Sequence, residues 1–223
     1  MKTITRAILA AAVMLAAPAT ALASEWTVVS AAGLVKVSRA GHWHALTSLA
    51  IPHGAWIKTG TRGSLTIERD GVRVDVQPRS LIGTADLANE PGSTAILQRW
   101  GTTTLDVEPR QSGRVKVHTP FAAAVVKGTR FDVHVDRCFS DVHVHEGEVA
   151  VEDAPRGEAV DIRPGQRAGV GRGVTNGLRV SGGATAKRAI TRGRGLLPGL
   201  ARNEVVHPGN VLEPAMRLPR RPR

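Results

Sequence analysis

Between residues 131 and 151 apolar and polar side chains alternate with a period of two, and nowhere before residue 184 do apolar residues recur at helical spacing for more than two turns. Such a chain is confined to short, half-buried β-strands, because only a pleated strand sends successive side chains to opposite faces. Phe131, Val133 and Val135 alternate with Asp132, His134 and Asp136; Val142 and Val144 alternate with His143 and His145; Val149 and Val151 follow a Glu146-Gly147-Glu148 break. The short polar link at 136–141 predicts a hairpin. The Lys127-Gly128-Thr129 step and Gly147 supply turns or bulges that β-branched neighbours cannot form.

The same grammar extends along the chain. Leu65-x-Ile67 and Val72-x-Val74-x-Val76 flank Asp70-Gly71, a strong hairpin signal, and Pro78 ends the second run. Residues 26–37 alternate loosely, turns are predicted at 52–54, 59–63 and 89–92, and 95–100 reads as a strand or one helical turn. A last strand pair is expected around Pro164-Gly165. The fold class is therefore all-β, a sandwich, roll or short β-solenoid of about ten to twelve short strands.

The 223 residues suffice for one sizeable domain with a tail. Lys2 and Arg6 precede an apolar run at 7–17, and Ala21-Leu22-Ala23 is a small-x-small cleavage signal. This predicts a signal peptide over 1–23, cleaved after Ala23, and a periplasmic or secreted product. The run is short for a membrane anchor, and Pro18 interrupts it. Cys138 is the single cysteine, so the fold is expected to rest on its own core. In the hairpin link it is expected to be a partly buried thiol, with an intermolecular disulfide as the alternative.

Charge divides the chain. Residues 163–223 hold 13 Lys or Arg against Glu204 and Glu213, whereas 1–162 balance at 17 of each sign. From 172 the chain becomes rich in Gly, Pro and Arg, which predicts a basic, poorly ordered tail with one short helix at 184–191. The domain is thus expected over 24–171 and the tail over 172–223. The tail suits an anionic envelope surface. Nucleic acid is not an expected partner, since Trp and Phe for base stacking are absent after residue 163.

No Gly-x-Ser-x-Gly, phosphate-loop or His-Glu-x-x-His pattern occurs, so no enzyme and no cofactor are expected. Glu146 and Glu148, around Gly147, read as groups at a solvent-facing bend. The histidines are the remaining chemistry. A hairpin register that sets Val135 opposite Val142 places His134 opposite His143 and Asp132 opposite His145, all on one exposed face. Imidazoles with a carboxylate suit Zn, Cu or Ni, or a proton sensor. Polar residues filling the solvent side of alternating strands account for the same pattern. His42-x-His44 shares that ambiguity.

Thr119-Pro120, Ala122 and Val126-Lys127-Gly128-Thr129-Arg130-Phe131 resemble the core motif of the FecR-type envelope sensor domain. Val142-x-Val144-x-Glu146-Gly147-x-Val149 and Arg163-Pro164-Gly165-Gln166-x-Ala168 are similar to its ending, and Gly33-x-Val35, Trp43, Leu49 and Gly54-x-x-Ile57-x-Thr59-Gly60 to its opening. The resemblance covers residues 26–171. It implies an all-β periplasmic domain that receives a signal from another envelope protein, in a pathway where a helical module holds a sigma factor. Only six residues precede the apolar run, so that module is not expected here. The residues carried over are Thr119, Pro120, Gly128, Thr129, Phe131, Glu146, Gly147, Pro164 and Gly165, all with fold-defining roles. Two readings follow: a sensor or adaptor that binds an envelope protein through exposed strand edges, and a metal- or pH-responsive protein using the hairpin histidines.

Overall fold

The structure, a computed structural model, describes residues 25–52, 54–86, 93–109, 114–126, 128–153, 156–171, 177–182 and 191–192. The expected signal peptide, the loop at 89–92, Lys127, the expected helix (save Thr191) and the Pro/Arg-rich end lie outside the described residues.

The chain lays its strands alternately in two antiparallel layers. β1 (Trp26–Ala32) enters the first layer, β2 (Val35–Arg39) and β3 (His42–Ala45) form a hairpin in the second, and β4 (Ala50–Ile51) returns beside β1. β5 (Trp56–Thr59) lies in the second layer, the hairpin of β6 (Ser64–Arg69) and β7 (Val72–Val76) in the first, and β8 (Leu81–Asp86) in the second. β9 (Thr94–Val107) belongs to both. β10 (Val115–His118) and β11 (Ala122–Val126) then lie in the second layer, and β12 (Arg130–Val135) and β13 (Phe139–Glu146) in the first. β14 (Val149–Asp153) and β15 (Glu158–Ile162) return to the second, β16 (Arg167–Gly171) and β17 (Gly177–Ser181) to the first, and β18 (Thr191–Arg192) pairs with β15.

The first layer therefore runs β4-β1-β6-β7-β9-β12-β13-β16-β17, and the second β3-β2-β5-β8-β9-β10-β11-β14-β15-β18. All pairings are antiparallel except β9–β10. The product is one open sheet of many strands folded on itself at β9, and it contains no helix among the described residues. At the β6–β7 turn Asp70 and Gly71 both take positive φ, the mirror-image turn that the Asp-Gly pair predicts.

The described residues hold 18 strands rather than ten to twelve. Residues 26–37, read as one run, break at Gly33-Leu34 because the chain changes layer there. The two-residue β4 and β18 are too short to show a period. Conversely, 95–100 and 102–107 are one strand of 14 residues, and the helical-turn alternative is removed. The sheet also continues past residue 171 through β17 and β18.

The core lies between the layers. Ile67, Val74, Leu105, Phe131, Val133 and Val144 face it from the first, and Ile57, Ile82, Ile96, Val117, Val151 and Ile162 from the second. These β-branched and aliphatic side chains each gain about 1.5–3 kcal/mol from burial, which offsets the entropy of ordering so many short strands. Cys138 is exposed rather than partly buried, because it sits at the β12–β13 tip, where residues 136–139 are all exposed.

β9 crosses between layers at Gly101. Its φ is +95°, and a Cβ there would lie 2.5 Å from Ser80 Cα. The crossing is stitched by Gln98, whose amide nitrogen donates to the carbonyls of Gly101 (2.9 Å) and Val133 (3.0 Å), while its oxygen accepts from Thr103 Oγ1 at 2.7 Å. The Thr102 amide donates to Ser80 Oγ at 3.1 Å. β9 in turn places the outer-face groups of β12.

Candidate functional site

The β12–β13 hairpin forms, with a register two residues from the expected one. Val135 faces Ser140, Val133 faces Val142, His134 faces Asp141 and Asp132 faces His143. The cause is a tighter tip: the Asp136 amide already donates to the Phe139 carbonyl at 2.9 Å, leaving Arg137 and Cys138 between them. A shift of two preserves which face every side chain occupies, so alternation alone does not select between the registers. What anchors this one is Ser140, which is buried and donates to Thr119 Oγ1 at 2.8 Å.

Asp132 is central to the outer face. Thr104 on the neighbouring β9 donates to its Oδ1 at 2.7 Å. His145 Nε2 lies 2.8 Å from its Oδ2, and His143 Nδ1 lies 3.9 Å from the same oxygen. Both imidazoles reach one carboxylate because the strand bulges. Arg130 pairs with Glu146 and Phe131 with Val144, leaving His145 as the extra residue and turning it toward β12. The two rings meet edge to face, with centroids 4.6 Å apart. Asp132, His143 and His145 each offer a ligand atom, all within 4.8 Å of one another.

His134 stands apart from this group. Its Nδ1 is 2.9 Å from Thr102 Oγ1, and its ring tilts against Phe139 at 5.8 Å. Three of the four sequence candidates thus come together, and Thr104, which orients Asp132, had no distinguishing sequence signal. His42 and His44 are on β3, in the other layer, and both are exposed.

Burial lowers the His143 pKa, with Arg167 and His145 acting in the same direction, against Asp132 and Asp141. Burial raises that of Asp141 over the opposing effects of Arg167, His134 and His143. Arg167 lies 3.3 Å from Asp141 Oδ1, so its cation is matched within the same face.

The largest titration effect lies on the other layer. Burial, reinforced by Lys116, lowers the His118 pKa to about 4. A histidine held neutral in the fold takes up its proton more readily when unfolded. The His118 contribution is therefore fully present above pH 6.5 and is lost as pH falls from 6.5 through 4. We expect a loss of about 2–3 kcal/mol across that window. Urea midpoints of the protein and of His118→Gln between pH 7 and 4.5 check it, since the variant should lack that part of the slope. Equal slopes would remove His118 as the cause.

The motif residues gather at corners. Thr119 and Pro120 occupy the β10–β11 turn, where Thr119 Oγ1 accepts from the Ala122 amide (2.8 Å) and from Ser140 Oγ (2.8 Å). Gly128 and Thr129 link β11 to β12, and the Thr129 carbonyl accepts from the Val107 amide at 2.9 Å. Glu146 ends β13, and Gly147, in the link to β14, lies against that same corner. A Cβ on Gly147, at φ +83°, would sit 2.6 Å from the Gly128 oxygen and 2.5 Å from Thr129 Cγ2. Gly147 thus closes a layer crossing that no larger residue fits. Phe131 is fully buried, and Pro164 and Gly165 turn β15 into β16, with the Gly165 amide donating to the Val144 carbonyl at 2.9 Å.

Thr119→Val keeps the shape and removes the acceptor. It is expected to destabilise the protein by about 1–3 kcal/mol, because the buried Ser140 hydroxyl and a turn amide lose their partner. Thr119→Ser should retain most of the stability. Denaturant unfolding of both variants distinguishes this from a packing effect of the methyl group, which Thr119→Val preserves.

Residues 55–150, which include the corners at Thr119, Gly128 and Gly147 but not the one at Pro164, match the family described as FecR protein. The likeness to FecR covers 96 of the 223 residues. The FecR match opens just before β5 and closes within β14, so β1–β4 and β15–β18 extend the same layers beyond it. Two crystal structures of a candidate anti-sigma factor from Parabacteroides distasonis are similar, at 18% identity with TM-scores of 0.48 and 0.49. Each likeness covers 57% of this chain and 59% of the length of that one. No curated protein matches. No helix of the described residues is long and apolar enough to cross a membrane.

Elsewhere a cleft of about 590 Å³ opens at the β6–β7 turn, where Glu25, Glu68, Asp70, Asp106 and Glu108 surround Arg69 and Arg73. Arg73 already lies 2.6 Å from Glu68, so part of this charge is compensated in place.

Proposed function

We propose that this protein is an exported, non-enzymatic sensor or adaptor of envelope signalling whose FecR domain docks another envelope protein. The observation that carries this reading is the FecR match over residues 55–150, a family of envelope regulators. The chain's own surface supports a place for the contact. β3 and β4 are the outermost strands of their layers at one end, among the described residues, and every residue of β3 is exposed. At that end Val29, Leu34, Trp43 and Leu49 are 47%, 55%, 38% and 76% exposed. Open strand edges beside apolar side chains suit a partner that adds a strand and covers them. The basic tail, 172–223, adds attraction to anionic headgroups, about 1 kcal/mol for each Lys or Arg near the surface.

Crosslinking in cells, followed by capture of the tagged protein from the envelope fraction, tests the reading. One dominant partner is expected to survive deletion of 173–223 and to be lost in Trp43→Glu/Leu49→Glu with an unchanged melting temperature. Equal capture by that double variant would move the contact elsewhere, and recovery of only tail-dependent, salt-sensitive material would end the adaptor reading. Export is checked on the same sample, whose N-terminus should be Ser24.

A further inference from the structure

We propose that Asp132, His143 and His145 form a binding site for one transition-metal dication of the Zn²⁺ type. The site is independent of the docking end, because it lies on the outer face of the first layer at β12–β13, whereas docking is placed at β3 and β4.

The ligand set is two imidazoles and one carboxylate, which suits Zn²⁺, Cu²⁺ or Ni²⁺ over the oxygen-loving Mg²⁺ and Ca²⁺. Three protein ligands leave a coordination position for water or a donor from another molecule. The geometry is close to what such an ion requires. Ligand atoms about 2.1 Å from a tetrahedral ion stand about 3.4 Å from one another. Asp132 Oδ2 is 2.8 Å from His145 Nε2 and 3.9 Å from His143 Nδ1, values on either side of that spacing. The widest separation among the ligand atoms is within 4.8 Å, so an imidazole has to swing by about an ångström to close the site. His145 has that freedom, being an exposed side chain at a bulge.

Two features distinguish the group from polar residues that merely share a solvent face. The first is the bulge. In an unbroken ladder His145 would lie two residues further along the strand than His143, on a diagonal from Asp132. The extra residue instead turns His145 onto the oxygen that His143 approaches. The second is the support behind the carboxylate. Thr104 Oγ1 donates to Oδ1, which leaves Oδ2 as the atom directed at both imidazoles. This is the outer-shell contact that orients a metal-bound carboxylate. Arg167 stands opposite His143 in the ladder, and Asp141 engages it at 3.3 Å.

The test is calorimetric titration of the full chain, with any histidine tag removed, using ZnCl₂ and then CuSO₄, NiSO₄ and MgCl₂. The expected result is one Zn²⁺ per chain, a rise in melting temperature with Zn²⁺ and none with Mg²⁺. Affinity should fall at least tenfold in Asp132→Asn, His143→Ala and His145→Ala, and about 10–100-fold in Thr104→Val. His134→Ala, in a residue on the same hairpin but outside the group, should bind as the parent does. Melting of the metal-free variants confirms that each is folded. Absence of Zn²⁺, Cu²⁺ and Ni²⁺ binding at millimolar metal overturns the proposal, as does binding that persists in His143→Ala/His145→Ala. Loss of binding in His134→Ala to the same degree would replace this ligand set with another.

Discussion

Phe131→Ala is expected to lower the stability of this protein by about 3–5 kcal/mol, close to the whole margin of an ordinary domain. Phe131 is fully buried on β12, with Leu105 of β9 on one side and Val144 of β13 on the other. Removing the ring forfeits its transfer free energy and leaves a cavity in a core built of branched side chains, whose strands are pinned by their ladders and cannot collapse into the gap. Phe139→Ala, on the same hairpin but 39% exposed, should change stability by about 0.5 kcal/mol at most. Urea unfolding of the pair gives the contrast. Similar losses in the two variants would mean that the core is not centred where the structure places it.

Gln98→Leu is expected to destabilise by about 2–4 kcal/mol, although leucine is apolar, similar in size and enters a fully buried position. The amide serves the Gly101 and Val133 carbonyls and the Thr103 hydroxyl at the point where β9 changes layer. Leucine leaves those groups desolvated without partners, and each orphaned group costs about 1–3 kcal/mol, partly offset by burial of the new side chain. Because the lost bonds hold the crossing, amide exchange at Gly101 and Thr102 should accelerate more than exchange in the β16–β17 hairpin. Stability equal to that of the parent would show that the crossing holds without the amide.

The all-β class, the β6–β7 and β12–β13 hairpins and the turn at Pro164-Gly165 were legible in the chain, because each rests on local rules: alternation sets faces, and Asp-Gly or Pro-Gly sets a turn. Most of the candidate site was legible too, since Asp132 and His134 share a parity on one strand, His143 and His145 share one on the next, and hairpin pairing brings the two sets to the same face. Its membership was not. His134 shares that face, yet it belongs to Thr102 and Phe139, while His145 reaches Asp132 through a bulge that no periodic reading contains. Thr104 and Gln98 were invisible for a related reason. Each is one polar residue in a strand, and its role depends on a partner that is distant in sequence, such as the Val133 carbonyl for Gln98 or Asp132 for Thr104.

The sequence by itself determined which side chains turn inward and where glycine and proline permit the chain to bend, because period and turn chemistry act over a few neighbouring residues. Only the tertiary structure decided the register of the hairpin, the division of the strands between two layers and the crossing of β9. A register slip of two residues leaves every side chain on its own face, so the choice falls to contacts such as Ser140 with Thr119, 21 residues apart in sequence, which exist only once both layers are in place.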